Sequence, residues 1–403
     1  MSSHRQSWIQ QLKVREEAGL LRQHRLLESP QQPDAQIDGR SLIAFCSNDY
    51  LGMANHPEVK QAAIDAIERC GVGSGASHLV VGHHREHQEL ERELAEFTGR
   101  ERALVFSTGY MANLAVISAL VGKRDFVFED KLNHASLIDG GLLSGARFQR
   151  YLHRNMASLE GYLQRYSTHS KTTPGLKLVV TDGVFSMDGD IANLPELASL
   201  CRQYDALLMV DDAHGIGVTG PEGGGSVLAS GLSQEDVPVL MGTFGKALGT
   251  AGAFVAGSEA LIEYLLQMAR PYIYTTAMPP AIAAATRKSL AIVRKADDKR
   301  RHLSGLIQYF RQKVLGLGYV MPVSHTPIQP IMVGDSRSAM ALSQFLEDEG
   351  VLVTAIRPPT VPDNTARLRV TLSAEHSYQQ VDKLLAALSA ALSTANISGQ
   401  VSF

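Results

Sequence analysis

The chain has little of what marks secreted, membrane-spanning or nucleic-acid-binding proteins. Its three cysteines, Cys46, Cys70 and Cys201, are few and widely spaced, so no disulfide framework is expected and a reducing compartment is indicated. The formal net charge of −3 gives no electrostatic case for nucleic acid as the main ligand. No stretch reaches the length of a membrane-spanning helix, and Met1–Trp8 has no apolar core typical of a secretory signal. We therefore expect a soluble cytoplasmic protein.

What the chain does have is a regular alternation of helical and apolar segments from about residue 57 to residue 257. A length of 403 residues with 44% hydrophobic and 20% charged residues favours one large α/β domain followed by a smaller one. Apolar runs that alternate with helices predict a mostly parallel sheet covered on both faces. The predicted division is an N-terminal segment at 1–56, a large domain at 57–285 and a small α/β domain at 286–403. Apolar spacing also predicts a helix over Ser7–Leu27.

The predicted secondary structure places several candidate residues at element ends. The helices of the large domain are expected at Glu58–Arg69, His84–Thr98, Met111–Leu120 and Leu194–Tyr204. Its strands are expected at Ala103–Phe106, Phe126–Phe128, Lys177–Thr181, Leu207–Val210 and Val237–Met241. After about Pro279 we expect two long helices, strands at Ile328–Val333, Val351–Ala355 and Leu368–Thr371, and helices at Ala339–Glu349 and Tyr378–Leu392.

Two consecutive strand ends carry the residue types that pyridoxal 5′-phosphate (PLP) requires. One apolar run ends in Asp211-Asp212-Ala213-His214, and the next ends in Thr243-Phe244-Gly245-Lys246. Ligands of parallel sheets bind outside the carboxyl ends of the strands. PLP needs a lysine for covalent attachment and an acid opposite its pyridine nitrogen. Taken singly, Asp211 is equally well explained as a strand-end acid, and Lys246 is better explained as a solvated lysine.

Two other segments could serve the same ligand. The turn at Ser107–Asn113 contains Gly109 and Tyr110, and a glycine before a helix lets backbone N–H groups face a phosphate. An ordinary capped turn explains this segment as well. His134 follows the strand at Phe126–Phe128 and could stack on a pyridine ring, although a structural histidine is the commoner fate.

Two further patterns resemble ligand sites but lack the context that such sites need. Gly71–Gly75 has the glycine spacing of a dinucleotide-binding loop, yet it follows a helical segment and not a strand. His83 and His87 could share a helix face and bind a metal ion. No third ligand of fixed spacing accompanies them, so we expect a solvated face there and no metal.

Several of these segments resemble the α-oxoamine synthases, PLP-dependent enzymes that join an amino acid to an acyl thioester with loss of carbon dioxide. The resemblance runs from about residue 7 to residue 392 and is carried by residues 47–52, 181–190, 211–215 and 243–246. Within that family, Ile356-Arg357-Pro358-Pro359-Thr360-Val361-Pro362 and residues 365–369 resemble the branch that condenses L-alanine with a pimeloyl thioester in biotin biosynthesis.

That resemblance implies an aspartate-aminotransferase-like α/β fold (PLP fold type I), a homodimer with active sites at the subunit boundary, and PLP as the cofactor. It implies catalytic roles for Lys246, Asp211, His134 and His214. Further cofactor contacts are implied for Gly109, Tyr110, Ser186, Thr243, Thr275 and Thr276, the last two reaching the neighbouring subunit's phosphate. Substrate contacts are implied for Arg22, Asn48, His134, Thr360 and Arg369, with Arg369 on the amino-acid carboxylate.

The sequence departs from the family pattern at Asp182, where glutamate is expected, and at Ser77-His78-Leu79. Three alternative functions remain: a sister enzyme that uses glycine or makes a longer amino ketone, a non-catalytic member that kept the fold, and an ordinary aminotransferase. The sequence leaves open whether the acyl carrier is coenzyme A or acyl carrier protein.

Overall fold

The described part of the chain comprises residues 3–17, 20–167 and 175–398 of a computed structural model. Its strands, numbered in chain order, are β1 Asp34–Ile37, β2 Arg40–Ala44, β3 Arg102–Phe106, β4 Phe126–Asp130, β5 Arg147–Tyr151, β6 Lys177–Asp182, β7 Leu207–Asp211, β8 Val239–Thr243, β9 Ala253–Gly257, β10 Ile328–Gly334, β11 Val351–Leu352, β12 Thr354–Ile356 and β13 Ala366–Thr371.

The helices of the same ranges alternate with these strands. They are α1 Ser3–Glu17, α2 Pro57–Cys70, α3 Arg85–Thr98, α4 Gly109–Leu120, α5 Ala135–Ser144, α6 Met156–Ser167, α7 Leu194–Gln203, α8 Ser226–Ala229, α9 Glu259–Met268, α10 Arg270–Ile273, α11 Pro280–Val293, α12 Asp297–Gly316, α13 Ser336–Asp348 and α14 Tyr378–Ser398.

The central sheet has seven strands in the order β3-β9-β8-β7-β6-β4-β5. Strand β9 is antiparallel to both of its neighbours, and the other pairings are parallel. Successive side chains of a strand point to opposite faces, so Leu178 and Val180 pack with α4 on one face while Val179 packs with α6 and α7 on the other. The predicted α/β class with a mostly parallel central sheet is confirmed.

A second body of strands is formed from both ends of the chain. Strands β10, β13 and β12 form an antiparallel sheet, and the hairpin β1–β2 is extended by β11, which runs parallel to β2. The N-terminal hairpin therefore belongs to the same sheet as a strand of the C-terminal part. The predicted domain boundaries remain a prediction; the one at 285/286 falls within α11.

Two details of the predicted elements were wrong. The helix expected over Ser7–Leu27 is α1, which covers Ser3–Glu17, whereas residues 20–26 are not helical and Leu27 pairs with Ile37. The strand expected at Val351–Ala355 is divided between two sheets, since β11 pairs with β2 while β12 pairs with β13.

Candidate active site

The candidate site lies at the carboxyl edge of the central sheet, where three neighbouring parallel strands end in polar residues. Strand β6 ends at Asp182, β7 at Asp211 and β8 at Thr243, and Asp182 lies directly opposite Asp211 in the strand pairing. The central residues of these strands, 178–180, 208–210 and 239–241, are buried and apolar. The hydrophobic layers on both faces therefore fix where each polar side chain emerges.

A single cavity gathers most of the predicted cofactor residues. It is lined by Gly109, Tyr110, Asn113, His134, Ser136, Asp182, Ser186, Asp211, Ala213, His214, Met241, Thr243 and Lys246. These residues come from four strand ends and from the first turn of α4, so residues far apart in the sequence converge on one volume. Of the predicted catalytic residues, Lys246, Asp211, His134 and His214 all line it.

Lys246 follows β8 in a turn that folds back toward the sheet. The backbone N–H of Phe244 donates to the Gly252 carbonyl at 2.9 Å, and that of Thr250 donates to the Phe244 carbonyl at 2.9 Å. The Phe244 side chain is fully buried, which anchors the turn. Removal of the Lys246 amine from water lowers its pKa to about 8, although nearby carboxylates oppose the shift. About a tenth of the amine is therefore unprotonated at pH 7, far more than for a solvated lysine, as a nucleophile or base requires.

Asp211 is buried and has a donor on each carboxylate oxygen. Its Oδ1 accepts from the Ala213 backbone N–H at 3.0 Å, and its Oδ2 accepts from Asn113 Nδ2 at 2.7 Å. These two bonds fix the plane of the carboxylate. An acid held in this way is suited to keep a proton on the nitrogen of a bound pyridine ring.

The two other acids at this edge have different surroundings. Asp212 accepts from the backbone N–H and the hydroxyl of Ser226 at 2.6 and 2.7 Å, and burial raises its pKa to about 7. Asp182 accepts from the backbone N–H of His134 at 2.7 Å. Burial, followed by the charge of Asp211, raises the pKa of Asp182 well above its usual range. The shorter acid found here in place of glutamate therefore holds the backbone of the predicted ring-stacking histidine.

His134 is the N-cap of α5, and its Nδ1 accepts from the backbone N–H of Ser136 at 3.3 Å. The hydroxyl of Ser136 lies 2.7 Å from the same nitrogen. Removal of the imidazole from water lowers its pKa, although the charge of Asp211 opposes this. The ring is therefore neutral and held beside the cavity.

The residues present fit the phosphate of PLP. Thr108 caps α4 by accepting from the Met111 N–H at 3.2 Å. Gly109 and Tyr110 of its first turn line the cavity, and the first N–H groups of a helix have no partner within it and are suited to bind a phosphate. A Cβ at Gly109 would lie 2.7 Å from Met241 Cε, the far end of a flexible side chain, so a larger residue here would require that methionine to shift. Thr243 lines the same end of the cavity.

His214 and Ser186 also line the cavity. His214 is buried, and its Nδ1 is 2.6 Å from the hydroxyl of Tyr50. Burial lowers the pKa of His214 well below its usual range, and the positive charges of Lys246 and Arg369 act in the same direction. His214 is thus a neutral hydrogen-bonding group.

Arg369 comes from β13 and is held between the two bodies of strands. Its Nε donates to the Ser186 carbonyl at 2.6 Å, and its Nη2 donates to Asn48 Oδ1 at 3.2 Å. Its Nη1 donates to Thr371 Oγ1 at 3.1 Å. The guanidinium is therefore pre-oriented near Lys246 and His214, whose pKa values it lowers.

The remaining predicted residues lie outside the first cavity. Arg22 and Thr360 line a second cavity together with Arg15, Leu20 and the segment 354–359. The structure thus brings the two predicted acyl contacts together. Thr276 is exposed and pairs with Ser77 in an isolated antiparallel bridge, and neither Thr275 nor Thr276 lines the first cavity of this chain.

The histidines at 78–87 do not form the solvated helix face that the sequence favoured. His78 and His87 are buried, and ligand atoms of His78, His83 and His87 lie within 4.8 Å of one another. His87, however, accepts from the His84 N–H at Nδ1 and contacts the Met278 carbonyl through Nε2, at 2.9 and 2.8 Å. Both of its nitrogens are therefore engaged in holding the start of α3.

Sequence reasoning missed Asn113, Ser136 and Tyr50 as members of the site. Asn113 and Ser136 are each 1% exposed. A polar residue inside the apolar helix α4, one turn after Gly109, was the available signal, because residues four apart share a helix face. The contact of Tyr50 with His214 joins residues 164 positions apart, and no local pattern reveals such a pairing.

Comparison with known proteins gives the family. Residues 40–388 match the family described as aminotransferase class I and II. The 8-amino-7-oxononanoate synthase of Marinobacter nauticus is 61% identical over 381 residues, covering 94% of this chain and 95% of that protein. The synthase of the same name from Pseudomonas putida KT2440 is 62% identical over 377 residues, covering 94% and 95%. This chain belongs to the 8-amino-7-oxononanoate synthase family.

Solved structures agree with this membership. A serine palmitoyltransferase variant from S. paucimobilis with a bound PLP–myriocin aldimine has a TM-score of 0.90 at 32% identity, covering 97% of this chain and 98% of that one. The 8-amino-7-oxononanoate synthase of Francisella tularensis has a TM-score of 0.76 at 32% identity, covering 88% and 99%. The predictions of a PLP-dependent acyltransferase, of PLP as its cofactor and of an aminotransferase-like fold are confirmed. Across the described residues, no helix is both long and apolar enough to span a bilayer.

Proposed function

We propose that this member of the 8-amino-7-oxononanoate synthase family condenses L-alanine with a pimeloyl thioester. The products are 8-amino-7-oxononanoate, carbon dioxide and the free thiol, and the reaction belongs to biotin biosynthesis. The observation that carries the proposal is the convergence of Lys246, Asp211 and His134 on one cavity, with Arg369 near Lys246. The identity to the synthases of this name supports the choice of substrates.

Different residues of the cavity are proposed to bind different parts of the cofactor. When bound, PLP supplies an aldehyde for covalent attachment and a ring that accepts the electron pair left at the substrate α-carbon. Lys246 is the point of attachment, and Asp211 holds the proton of the pyridine nitrogen. The start of α4 with Gly109 and Tyr110, together with Thr243, receives the phosphate. Ser186 and His214 bind the phenolic oxygen.

Lys246 is also the base. Its amine, when free and unprotonated, would remove the α-proton of the substrate, which its lowered pKa favours. After carbon–carbon bond formation, loss of the thiol and loss of carbon dioxide, the same amine returns a proton to that carbon. Arg369 binds the alanine carboxylate through two parallel hydrogen bonds, with Asn48 and His134 beside it.

The second cavity is proposed to receive the acyl substrate. Arg22 and Thr360 lie there, and a guanidinium is suited to the free carboxylate at the far end of a pimeloyl chain. Both acyl carrier protein and coenzyme A remain possible carriers. A comparison of kcat/KM for the two thioesters decides which one the enzyme prefers.

The enzyme is proposed to act as a homodimer in which Thr275 and Thr276 of one subunit reach the phosphate bound by the other. The surface around this segment is apolar and open. Val72, Val80, Val81 and Tyr274 are all more than 70% exposed, and the bridge between Ser77 and Thr276 brings their segments together. Exposed apolar side chains concentrated in one region mark a surface for association.

The test is mass spectrometry of the product formed from L-alanine and a pimeloyl thioester. With alanine labelled at the carboxyl carbon, we expect unlabelled 8-amino-7-oxononanoate and labelled carbon dioxide. Lys246→Ala should form no product, while the matched variant Lys288→Ala, a lysine beside Glu58 on the surface, should be fully active. Formation of pyruvate from alanine would indicate an aminotransferase, and a product formed from glycine alone would indicate a sister enzyme.

A further inference from the structure

Three hydrogen bonds connect the predicted ring-stacking histidine to the predicted pyridine-nitrogen acid. His134 Nδ1 lies 2.7 Å from the Ser136 hydroxyl, and that hydroxyl lies 2.9 Å from Asn113 Nδ2. The same Asn113 nitrogen lies 2.7 Å from Asp211 Oδ2. This series of hydrogen bonds runs from α5 through α4 to β7. His134 and Asp211, which lie on different elements, are therefore held by the same two side chains.

The direction of each bond follows from which atoms can donate. An amide nitrogen carries two hydrogens and does not accept, so Asn113 donates one to Asp211 and the other to Ser136. The Ser136 oxygen is thereby an acceptor, and its single hydrogen is left for His134 Nδ1. The Ser136 backbone N–H also points at that nitrogen, at 3.3 Å. With two donors facing it, Nδ1 carries no proton, and in the neutral ring the proton lies on Nε2.

The reverse orientation of the Asn113 amide is disfavoured by Asp211. It would place the amide oxygen 2.7 Å from a carboxylate oxygen, where two acceptors repel. The observed orientation leaves Asn113 Oδ1 buried with no hydrogen-bond partner in the described part of the chain. An unsatisfied buried acceptor destabilises the folded state. The Asn113 amide therefore keeps its two donor contacts, to Asp211 and Ser136, although its unpaired oxygen lowers the stability of the folded protein.

We propose that Ser136 and Asn113 are positioning residues, which hold His134 in the tautomer with its proton on Nε2 and hold the Asp211 carboxylate in its plane. The inference deepens the proposed function and rests on it only for the identity of the substrate. His134 then presents one donor, Nε2–H, to the substrate side of the cavity. A ring with its proton on Nδ1 would present a lone pair there and could not donate to the alanine carboxylate.

The tautomer is measured directly by two-dimensional ¹⁵N–¹H spectra of histidine-labelled protein, with the His134 signals assigned by His134→Gln. We expect Nε2–H in the wild type both with and without PLP. Ser136→Ala removes the hydroxyl donor, so a measurable share of the Nδ1–H form should appear. Ser136→Thr keeps a hydroxyl and should restore the wild-type spectrum. If Ser136→Ala fails to fold, Ser136→Cys, with a weak donor, carries the same comparison.

Kinetics separate positioning from general structural support. For the alanine reaction we expect Ser136→Ala to lower kcat by about 2- to 13-fold, the size of one lost hydrogen bond, with KM changed less than about twofold. The pH profile should shift as well, because the protonation of His134 depends on the nearby charges of Asp211, Lys246 and Asp139. Ser136→Thr should restore both the wild-type kcat and the wild-type pH profile. Asn113→Ala should lower kcat through Asp211.

Two results overturn the proposal: a wild-type His134 with its proton on Nδ1, or a Ser136→Ala spectrum identical to that of the wild type. Neither depends on which substrates the enzyme uses, because the spectra are recorded without them. A failure of the proposed function would show instead in the product assay, with the His134 spectra unchanged.

Discussion

At the scale of the residue, three neighbouring acids show how local partners assign different tasks to one side-chain type. Asp211 receives a backbone and an amide donor, Asp212 is tied to Ser226, and Asp182 holds the His134 backbone. Since Asp211 alone of the three is fixed by Asn113, we assign it the pyridine nitrogen. The other two support the surrounding chain.

Replacing Asp211 with Asn should therefore retain PLP but cripple proton removal from alanine. A neutral amide cannot stabilise a protonated pyridine nitrogen, so the electron pair at the α-carbon is poorly accepted. We expect exchange of the alanine α-proton with deuterated solvent, followed by proton NMR, to slow by about 100-fold or more. Asp212→Asn is the matched control and should mainly affect stability. Exchange at the wild-type rate in Asp211→Asn would refute the assignment.

The pKa of Lys246 predicts how the protein without cofactor captures PLP. Only the unprotonated amine attacks the aldehyde, and burial lowers the Lys246 pKa to about 8. The rate of capture should therefore rise about tenfold per pH unit below pH 8 and level off above it. Stopped-flow absorbance of PLP mixed with the protein measures this. A rate that keeps rising to pH 10 would show that Lys246 titrates as an ordinary solvated lysine.

At the scale of the element, the ends of the central-sheet strands could be predicted from the sequence more fully than the elements that pack beside them. Strands β6 to β8 and helices α2 to α4 were predicted because their sequences contain continuous apolar runs or apolar residues at helical spacing. The antiparallel strand β9 and the helix α5 were not, since Ala253–Gly257 and Ala135–Ser144 are short and rich in small residues. That Lys246 and Asp211 lie together at the edge of the sheet could be predicted from the strand ends, whereas Asn113 and Tyr50 depend on contacts between distant elements.

One link between elements should make stability depend on pH. His153 lies 2.8 Å from Asp130 at the end of β4 and 2.9 Å from Asp190 in the segment after β6. Burial works against the charged imidazole, but the two carboxylates outweigh it and raise the His153 pKa to about 9. The folded pKa lies above the ordinary value of about 6.5. Its contribution of roughly 3 kcal/mol is therefore complete below pH 6.5 and lost as pH rises through 9.

Denaturant unfolding at pH 6, 7.5 and 9.5 checks this sign. The wild type should lose free energy of unfolding across this range relative to His153→Gln, which has no charge to lose. Equal pH dependence in the two proteins would mean that the pair of carboxylates does not stabilise a charged His153.

At the scale of the whole molecule, the site is assembled from segments that are far apart in the sequence. Arg369 from β13 contacts Ser186 after β6 and Asn48 after β2, so the small sheet and the N-terminal hairpin both support the large-domain cavity. We propose that the exposed Thr276 and the apolar side chains near it contribute in the same way to the site of a second copy of the chain.

Hybrid dimers test the contribution across subunits. Chains with Lys246→Ala are mixed with chains carrying Thr275→Ala and Thr276→Ala, each inactive or weak in cofactor binding as a homodimer. If the threonines serve the partner's phosphate, each hybrid contains one complete site and regains wild-type PLP affinity at that site. If they serve their own chain, no hybrid regains it. Titration of the purified hybrid with PLP distinguishes the two.

The most direct test of the account is the location of the cofactor on the chain. Holoenzyme is treated with borohydride, which makes the bond to PLP permanent, and is then digested and analysed by tandem mass spectrometry. We predict the phosphopyridoxyl group on Lys246, in the peptide that contains Thr243-Phe244-Gly245. A phosphopyridoxyl group on any other lysine, or none after reduction of active enzyme, would contradict the account.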